Sequence, residues 1–351
     1  MNLVEVGRWI GDPSDQFPGA GGTYGNAIAF DGTYVYVGLY QPGPIIKKIA
    51  ASTMLEVLPA WVDSNLDDYG VVSMTYDGTY IYAGLLGSSA GAPLAGAIVV
   101  QIDPNTMLEV KRYSDLTGNR ILWLDYDGTY IYATTQNSPT AILLQINPAT
   151  MGLVASWAGT NGDACYASTH VGGKIYALGE NGLNFDSIIV QLDPTTMLEI
   201  KRWDSGLASM FDIIDCDGTY IYMGSLQGNP PQVMQFDPVA FAPVNTWVSS
   251  DVTEVGVTGL THRTGTVYEF ICIGYKSEMT TVALNNTTMT NVGQFVDTIG
   301  GGDGGQICCD ATYVYVESSG NNLVKLQAGT PPPPPVYTKV RMAYPVKRRL
   351  S

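Results

Sequence analysis

The sequence predicts an all-β protein built as one closed ring of small sheets, and two observations support this fold class. The first is composition, because 40 glycines, 22 tyrosines and only 14% charged residues in a chain of 351 are typical of strands and turns rather than amphipathic helices. The second is an internal repeat, since one short phrase returns seven times at intervals of 44 to 50 residues. A period in this range with short alternating strands predicts a single seven-bladed β-propeller.

Each copy of the phrase reads Asp-Gly-Thr-Tyr-x-Tyr or a degraded form of it. The clear copies begin at Asp31, Asp77, Asp127, Asp217 and, with alanine in place of glycine, Asp310. The degraded copies are VGGKIY from Val171 and TGTVY from Thr264. The repeat therefore continues along the chain to about residue 327, which predicts one domain.

A full unit contains four predicted strands, A to D, and the unit around Asp77 shows them clearly. Strand A is SMTY, strand B is TYIYAG, strand C is AIVVQI, and strand D is MLEVKRY from Met107. The Asp-Gly pair suits a tight A–B turn, because glycine accepts positive φ and aspartate bonds to its own backbone. The Asp103-Pro104 pair suits the C–D turn, because proline fixes φ and restricts the residue before it.

The two ends of the repeat predict how the ring closes. The last unit has strands A, B and C but no strand D, whereas LVEVGRW at residues 3–9 matches MLEVKRW at residues 197–203. The N-terminal strand, at about residues 3–9, is therefore expected to join the last blade, so that neither blade is left with an orphan edge. The predicted domain is residues 1–329, and residues 330–351 are an extended proline-rich spacer and basic tail.

The repeat resembles those of propellers with YVTN-like or NHL-like repeats, over about residues 1–327. This resemblance implies an architecture and no particular activity, because propellers include hydrolases, lyases, lectins and scaffolds. The chain lacks the Gly-His and Trp-Asp pairs of WD repeats, the paired glycines of kelch repeats and the S-x-D-x-G-x-T-W box of sialidases. Function must therefore be argued from individual sites.

Charge and cysteine usage narrow the function classes. Residues 1–330 carry 12 basic and 32 acidic residues, a net charge of −20, whereas the tail carries +5. Such an acidic body is expected to repel nucleic acid. No apolar run is long enough to span a membrane, and the first residues do not resemble a secretory leader. The five cysteines lack metal-ligand spacing and predict reduced thiols, so a cytoplasmic or virion location is expected.

When the repeats are aligned, the histidines and cysteines, which often have catalytic or metal-binding roles, fall at positions with predicted structural roles. The position before each A–B turn is predicted to pack between blades, and its occupants are Phe30, Tyr76, Tyr126, His170, Cys216, His262 and Cys309. The preceding position is predicted to line the central channel and includes Asp125 and Asp215. These two carboxylates are candidate ligands for calcium, which prefers oxygen; the alternative is that they bond to a neighbouring blade. No other cofactor is expected.

The loops between strands D and A and between strands B and C form the expected binding face. The candidate binding residues there are Tyr24, Asp68, Tyr69, Arg120, Asp163 and Glu254. Long B–C loops rich in glycine, proline, serine and asparagine, such as GENGLNFD from Gly179, suit contacts with a protein or a glycan. They equally suit plain solvated connections.

The tail has its own pattern. Five prolines from Pro331 predict a polyproline II spacer of about 15 Å, and residues 336–343 alternate as a strand does. The proposed anchoring residues are Tyr337, Lys339, Arg341, Tyr344, Lys347, Arg348 and Arg349. Three interpretations stay open: a solvated tail, a small nucleic-acid patch, or a strand that docks on a partner or a second copy.

The predicted function is non-enzymatic: a structural or interaction propeller that is a subunit of a larger assembly, such as a virion surface or tail component. No G-x-S-x-G, P-loop, C-x-x-C or H-E-x-x-H motif is present. The alternatives are an enzyme with a metal site at the channel mouth, lactonase-like or lyase-like, and a carbohydrate-binding adhesin.

Overall fold

The structure is a computed structural model, and the part of the chain that it describes consists entirely of strands, turns and irregular segments. The described residues are 2–11, 27–39, 43–65, 68, 70–86, 96–115, 120–136, 142–160, 163–208, 211–226, 230–251, 256–263, 268–273, 279–297, 304–318 and 322–329. None of these segments forms a helix long and apolar enough to cross a membrane.

The strands form seven antiparallel sheets, named I to VII in chain order. Sheet I contains β2 (Ile28–Phe30), β3 (Tyr34–Gly38), β4 (Ile45–Ala50), β5 (Leu55–Glu56) and β6 (Trp61–Val62). Sheet II contains β7 (Val71–Tyr76), β8 (Ile81–Leu85), β9 (Ala97–Asp103) and β10 (Leu108–Asp115). Sheet III contains β11 (Arg120–Tyr126), β12 (Ile131–Gln136), β13 (Ile142–Asn147) and β14 (Gly152–Ala158).

The remaining four sheets follow the same order. Sheet IV contains β15 (Ala164–Val171), β16 (Lys174–Glu180), β17 (Asp186–Leu192) and β18 (Glu199–Ala208). Sheet V contains β19 (Phe211–Cys216), β20 (Ile221–Ser225), β21 (Gln232–Asp237) and β22 (Ala242–Val248). Sheet VI contains β23 (Val257–His262), β24 (Tyr268–Ile273), β25 (Met279–Asn285) and β26 (Thr290–Asp297). Sheet VII contains β27 (Gly304–Cys309), β28 (Tyr313–Ser318), β29 (Asn322–Gly329) and β1 (Asn2–Ile10).

The first strand of each sheet packs against the first strand of the next. These contacts join β2 to β7, β7 to β11, β11 to β15, β15 to β19, β19 to β23, β23 to β27, and β27 back to β2. The fold is thus a single all-β propeller with four-stranded blades, as the sequence predicts. In sheet I the outermost strand is divided into β5 and β6, which both pair with β4.

The predicted closure by the N-terminal strand is confirmed. Strand β1 pairs antiparallel with β29 from Asn2 opposite Gly329 to Ile10 opposite Asn322. The pairing is slightly longer than the expected residues 3–9 and contains a bulge between Glu5 and Gly7. Because β1 and β29 come from opposite ends of the described chain, this pairing joins the ends of the repeat in one sheet.

The repeated phrase forms each A–B turn through its aspartate. In sheet II, Asp77 Oδ1 accepts hydrogen bonds from the backbone N–H groups of Thr79 and Tyr80. Asp77 Oδ2 accepts the hydroxyl of Tyr82 at 2.7 Å, and Gly78 supplies the required φ of 93°. The same three bonds are made by Asp31, Asp127, Asp217 and Asp310.

A second repeated contact joins neighbouring sheets at five of the seven junctions. Gln101 of β9 donates from Nε2 to the Tyr82 hydroxyl at 2.8 Å and to the carbonyl of Pro148, in the C–D turn of sheet III, at 3.0 Å. A lysine replaces the glutamine where Lys48 reaches Pro104 and where Lys325 of the last sheet reaches Ala51 of the first. The buried core lies between sheets, in apolar clusters that span each junction.

The C–D turns explain a methionine that recurs after threonine in five of the units. These methionines have left-handed backbone angles between 50° and 57° and are at most 5% exposed: Met54, Met107, Met151, Met197 and Met289. A left-handed methionine is uncommon, and its buried side chain packs in the core clusters. These methionines therefore have the same packing role in all five C–D turns.

Candidate functional site

The residues predicted to form the loop binding face differ in their burial in the structure. Arg120 opens β11 and is partly buried, with its backbone opposite Gln136. Asp68 and Asp163 are 0% and 2% exposed, so their carboxylates are not presented to solvent. The other three predicted residues, Tyr24, Tyr69 and Glu254, lie outside the described residues.

Asp68 belongs to a buried ion cluster between sheets I and II. Arg112 of β10 contacts Asp68 Oδ2 at 2.5 Å through Nη1 and Asp63 Oδ1 at 2.9 Å through Nη2. Its Nη2 also contacts Glu109 Oε2 at 2.8 Å. Burial raises the pKa of Asp68, and the hydrogen bond from Arg112 opposes that rise. Asp68 therefore serves the junction and does not offer its carboxylate to a ligand.

Asp163 has the same role at the junction between sheets III and IV. Arg202 of β18 contacts Asp163 Oδ2 at 2.8 Å and Glu199 Oε2 at 2.9 Å. Arg8 of β1 repeats the arrangement with Glu5 and with Asp297 of sheet VI. In each case an outer-strand arginine binds the glutamate three residues earlier and a buried aspartate from the preceding sheet or connection. These are structural clamps, which corrects the assignment of Asp68 and Asp163 to a surface binding face.

Asp125, which the sequence predicts to line the channel, bonds to a histidine of the next sheet. His170 Nδ1 lies 2.9 Å from Asp125 Oδ2, across the junction between sheets III and IV. This hydrogen bond raises the pKa of His170, burial opposes the rise, and the charge of Asp215 adds to it. Asp125 thus contacts the neighbouring sheet, as in the alternative to a calcium ligand. Among the described residues, no group of three or more His, Cys, Asp or Glu is arranged to hold a metal ion.

The predicted inter-sheet role of the position before the A–B turn is confirmed at several junctions. The ring of Phe30 stacks on Tyr315 at a centroid distance of 5.4 Å, which joins sheets I and VII. Cys216 Sγ donates to the carbonyl of His170 at 3.1 Å. Cys309 Sγ lies 3.5 Å from Thr261 Oγ1. Burial raises the pKa of Cys216 to about 12, so this thiol is a poor nucleophile at neutral pH.

Trp123 packs beyond its own junction. It belongs to the innermost strand of sheet III, β11, and its side chain lies against two apolar clusters formed by residues of sheets IV to VI. This side chain therefore links sheets that are not neighbours in the ring.

Two features near the loop face were not found from the sequence. Asp212 occupies the bulge of β19, and burial together with the charge of Glu180 raises its pKa to about 7. Leu183 and Phe185, in the B–C connection of sheet IV, are 74% and 62% exposed. The only sequence signal for Asp212 is a carboxylate at a position where sheets II and III have Val72 and Leu122.

A further departure from the repeat lies at the opposite end, between sheets V and VI. A half-open groove of about 340 Å³ is bordered by Asp217, Thr219, Tyr220, Gln235, Val244, Asn245, Asn286 and Thr287. These residues come from the A–B turn and strands C and D of sheet V and from the C–D turn of sheet VI. The sequence prediction did not include this groove.

Comparisons with known proteins identify the fold. No family model matches the sequence, and no curated protein matches it. The β-propeller domain of Cps50 (Swd1) from Myceliophteria thermophila is similar in structure, with a TM-score of 0.67 and 8% identity over 88% of this chain and 97% of that chain. A chain of the Mitotic Checkpoint Complex has a TM-score of 0.68 and 12% identity over 94% of both chains. At these identities the likeness shows the propeller fold alone.

Proposed function

We propose that the seven sheets are the blades of one closed ring and that this propeller is a non-enzymatic interaction protein, a subunit of a larger assembly. The observation that carries the proposal is an apolar rim on the outer strands. Six sheets expose two apolar side chains each, 43% to 68% accessible: Val6, Ile10, Leu55, Val62, Leu108, Val110, Leu153, Val154, Leu198, Ile200, Val244 and Val248.

The rim also offers backbone hydrogen bonds. Each outermost strand stands at the end of its sheet order, so one of its edges has no strand partner among the described strands. Exposed edge strands with apolar side chains are templates for strand addition. The comparison with the Mitotic Checkpoint Complex supports protein partners by analogy, because the similar chain is part of a complex.

The occupant we propose for the rim is the C-terminal segment of a second copy. That segment has the alternation of a strand at residues 336–343 and five basic residues with no acidic one. The rest of the chain carries a net charge of −20, so attraction between copies would guide docking. Gly329, the last described residue before this segment, pairs with Asn2 at the start of the outer strand β1.

The test is the mass of the protein in solution by light scattering, at several protein concentrations and at low and high salt. The full chain is compared with a chain that ends at Gly329 and with a chain in which Lys347, Arg348 and Arg349 are all replaced by glutamine. Assembly of the full chain, weakened by salt and by the triple substitution and abolished by truncation, supports the proposal. A full chain that stays monomeric at every concentration refutes docking on a second copy.

A peptide of residues 331–351 separates docking on the propeller from other causes of assembly. Its binding to the truncated propeller is measured by fluorescence anisotropy, with a peptide of scrambled order as the control. Because a repeated contact between identical subunits suits a many-subunit particle, the proposal extends to a virion surface or tail component. A polymer or closed ring in the mass measurement favours that extension, whereas a plain dimer does not.

One observation favours the enzymatic alternative, namely the buried carboxyl of Asp212 with a pKa of about 7. A carboxyl with such a pKa can exchange protons near neutrality. Hydrolysis of a panel of lactones by the wild type, abolished in Asp212→Asn, would support an enzyme. The calcium hypothesis at Asp125 and Asp215 is tested separately, by calorimetric titration of the full chain with calcium and of an Asp125→Asn, Asp215→Asn double variant.

A further inference from the structure

The outer strand beside the groove between sheets V and VI carries an asparagine where two other sheets have a lysine. In sheets II and IV, this lysine reaches across to the C–D turn of the next sheet. Lys111 Nζ donates to the carbonyl of Ala149, and Lys201 Nζ lies 5.4 Å from the ring centroid of Phe241. The matching residue of sheet V is Asn245, whose shorter side chain borders the groove. A lysine at this position would extend over the groove.

The next sheet departs from the repeat at the same junction. Its C–D turn has Asn286 where sheets II to V have proline. Asn286 Nδ2 donates to Asp217 Oδ2 at 3.0 Å, and its carbonyl accepts Gln235 Nε2 at 2.6 Å. Asn245 Nδ2 donates to Gln235 Oε1 at 3.2 Å. The amides along the groove are therefore held in fixed orientations before any ligand arrives.

The carboxylate in the groove is already saturated. Asp217 accepts two bonds on Oδ1, from the N–H groups of Thr219 and Tyr220, and two on Oδ2, from the Tyr222 hydroxyl and Asn286. A carboxylate with four donors does not require a cation. Its negative charge also disfavours an anion. The groove therefore suits a neutral ligand.

The groups that still face the opening are polar but uncharged. Asn245 is exposed, with one amide proton and its carbonyl oxygen outside the bonds described above, and Thr219 and Thr287 are also exposed. Tyr220 contributes a partly buried aromatic ring, and Val244 is the one apolar side chain along the border. Amide and hydroxyl groups beside an aromatic ring match the alternating hydroxyl and C–H surfaces of a sugar. The volume of about 340 Å³ lies at the small end of ligand sites.

We propose that this groove binds one neutral sugar ring, as a free saccharide or as the end of a glycan. The asparagine and threonine side chains bond to the hydroxyl groups, and the face of the Tyr220 ring packs on the sugar C–H groups. The site lies at the end of the propeller opposite the D–A and B–C loops. It shares Val244 with the rim, but its polar groups and its test do not involve the C-terminal segment.

The test uses a panel of glucose, galactose, mannose and N-acetylglucosamine at millimolar concentration, with binding to the full chain followed by saturation-transfer NMR and then by titration. Asn245→Lys restores the residue type found in sheets II and IV and is expected to weaken binding at least tenfold. Asn245→Ala keeps the groove open without the amide and is expected to weaken binding three- to tenfold. Lys201→Asn, the reverse exchange one sheet away, is expected to leave binding within twofold of wild type.

Thermal unfolding of each variant establishes that it is folded, since the substituted side chains lie near the surface. The proposal is overturned if no sugar of the panel binds the wild type. It is also overturned if Asn245→Lys binds as well as the wild type, because the sugar then occupies another site. Equal losses in Asn245→Lys and Lys201→Asn would show a general surface effect and would likewise refute the assignment.

Discussion

Replacing Arg112 with glutamine should destabilise the propeller more than the same change at any other clamp. The guanidinium of Arg112 neutralises two carboxylates, Asp63 and Asp68, which are 1% and 0% exposed. Without it, both carboxylates stay buried with no cation in contact. The matched substitution at Arg202 removes the cation from only one buried carboxylate, Asp163.

The magnitude follows from the cost of an uncompensated buried charge. Removing one partner of a buried ion pair costs about 3–5 kcal/mol, and the partial exposure of Arg112, 23% of its side chain, favours the lower end. The unfolding entropy of a globular protein is about 2.1 cal/mol/K per residue, or about 0.7 kcal/mol/K for a chain of this length. A loss of about 3 kcal/mol therefore lowers the melting temperature by about 4 °C, and the Arg202 variant should lose about half of that.

The assay is thermal unfolding of both variants and the wild type, followed by circular dichroism at pH 7 and pH 5. Burial raises the pKa of Asp68 in the folded state above its ordinary value. The stability linked to this group is therefore fully present below the ordinary aspartate pKa and is lost as pH rises through the folded value. Removing Arg112 raises the pKa of Asp68 in the folded state further. The difference in melting temperature between Arg112→Gln and the wild type should therefore become smaller as pH falls.

Two results would refute the reasoning. A change of less than 1 °C for Arg112→Gln at pH 7 would mean that water or a rearrangement compensates the carboxylates at negligible cost. A gap that widens at pH 5 would mean that ionised Asp68 is not the destabilised species. As an internal check, adding Asp68→Asn to the Arg112 variant should recover part of the lost stability.

Further predictions concern the channel and the close approach of the blades. Asp125→Asn should lower the pKa of His170 measured by NMR titration. It should also remove a contribution to folding stability that is present below the ordinary histidine pKa and is lost as pH rises through the pKa in the folded state. An unchanged His170 pKa would contradict the hydrogen bond. Gly84→Ala should cost about 1–3 kcal/mol, because the new Cβ would overlap Cγ2 of Ile121 in the next sheet; the cost should be smaller when the change is made in an Ile121→Ala background, which lacks that atom. Gly78→Ala meets no atom within 4 Å but forces alanine to a φ of 93°, so it should cost about 1–2 kcal/mol in either background. Equal relief of both glycine changes by Ile121→Ala in urea unfolding would contradict this distinction.

The features that could be predicted from the sequence are those determined by short segments of the repeat. The Asp-Gly turn, the buried methionine and the match between residues 3–9 and strand D each depend on neighbours within a few residues or on a direct copy elsewhere in the chain. The hydroxyl bond from Tyr82 to Asp77 was also within reach, because the two residues recur five positions apart in every clear copy of the phrase.

The misassigned residues are those whose partners lie far along the chain. Asp68 and Asp163 sit in polar connections, which predicts exposure, but their arginines are 44 and 39 residues away. A signal was present in the recurring Glu-x-x-Arg of the outer strands, at Glu5-Arg8, Glu109-Arg112 and Glu199-Arg202. A charged pair repeated at one structural position indicates a constraint that a solvated strand would not impose.

The groove could not be predicted from the repeat, because residues that differ from those of other units border it. Five of the seven sheet junctions have a bond from a glutamine or lysine of strand C to a carbonyl of the next C–D turn. These bonds hold the ring, so the residues that make them are constrained by the fold. Asn245 stands where sheets II and IV have lysine, Asn286 stands where sheets II to V have proline, and Gln235 still makes its bond to the next turn there. Because the fold is satisfied without either substitution, both are free to serve a ligand, and a search for function in a repeat protein should begin where two neighbouring units differ together.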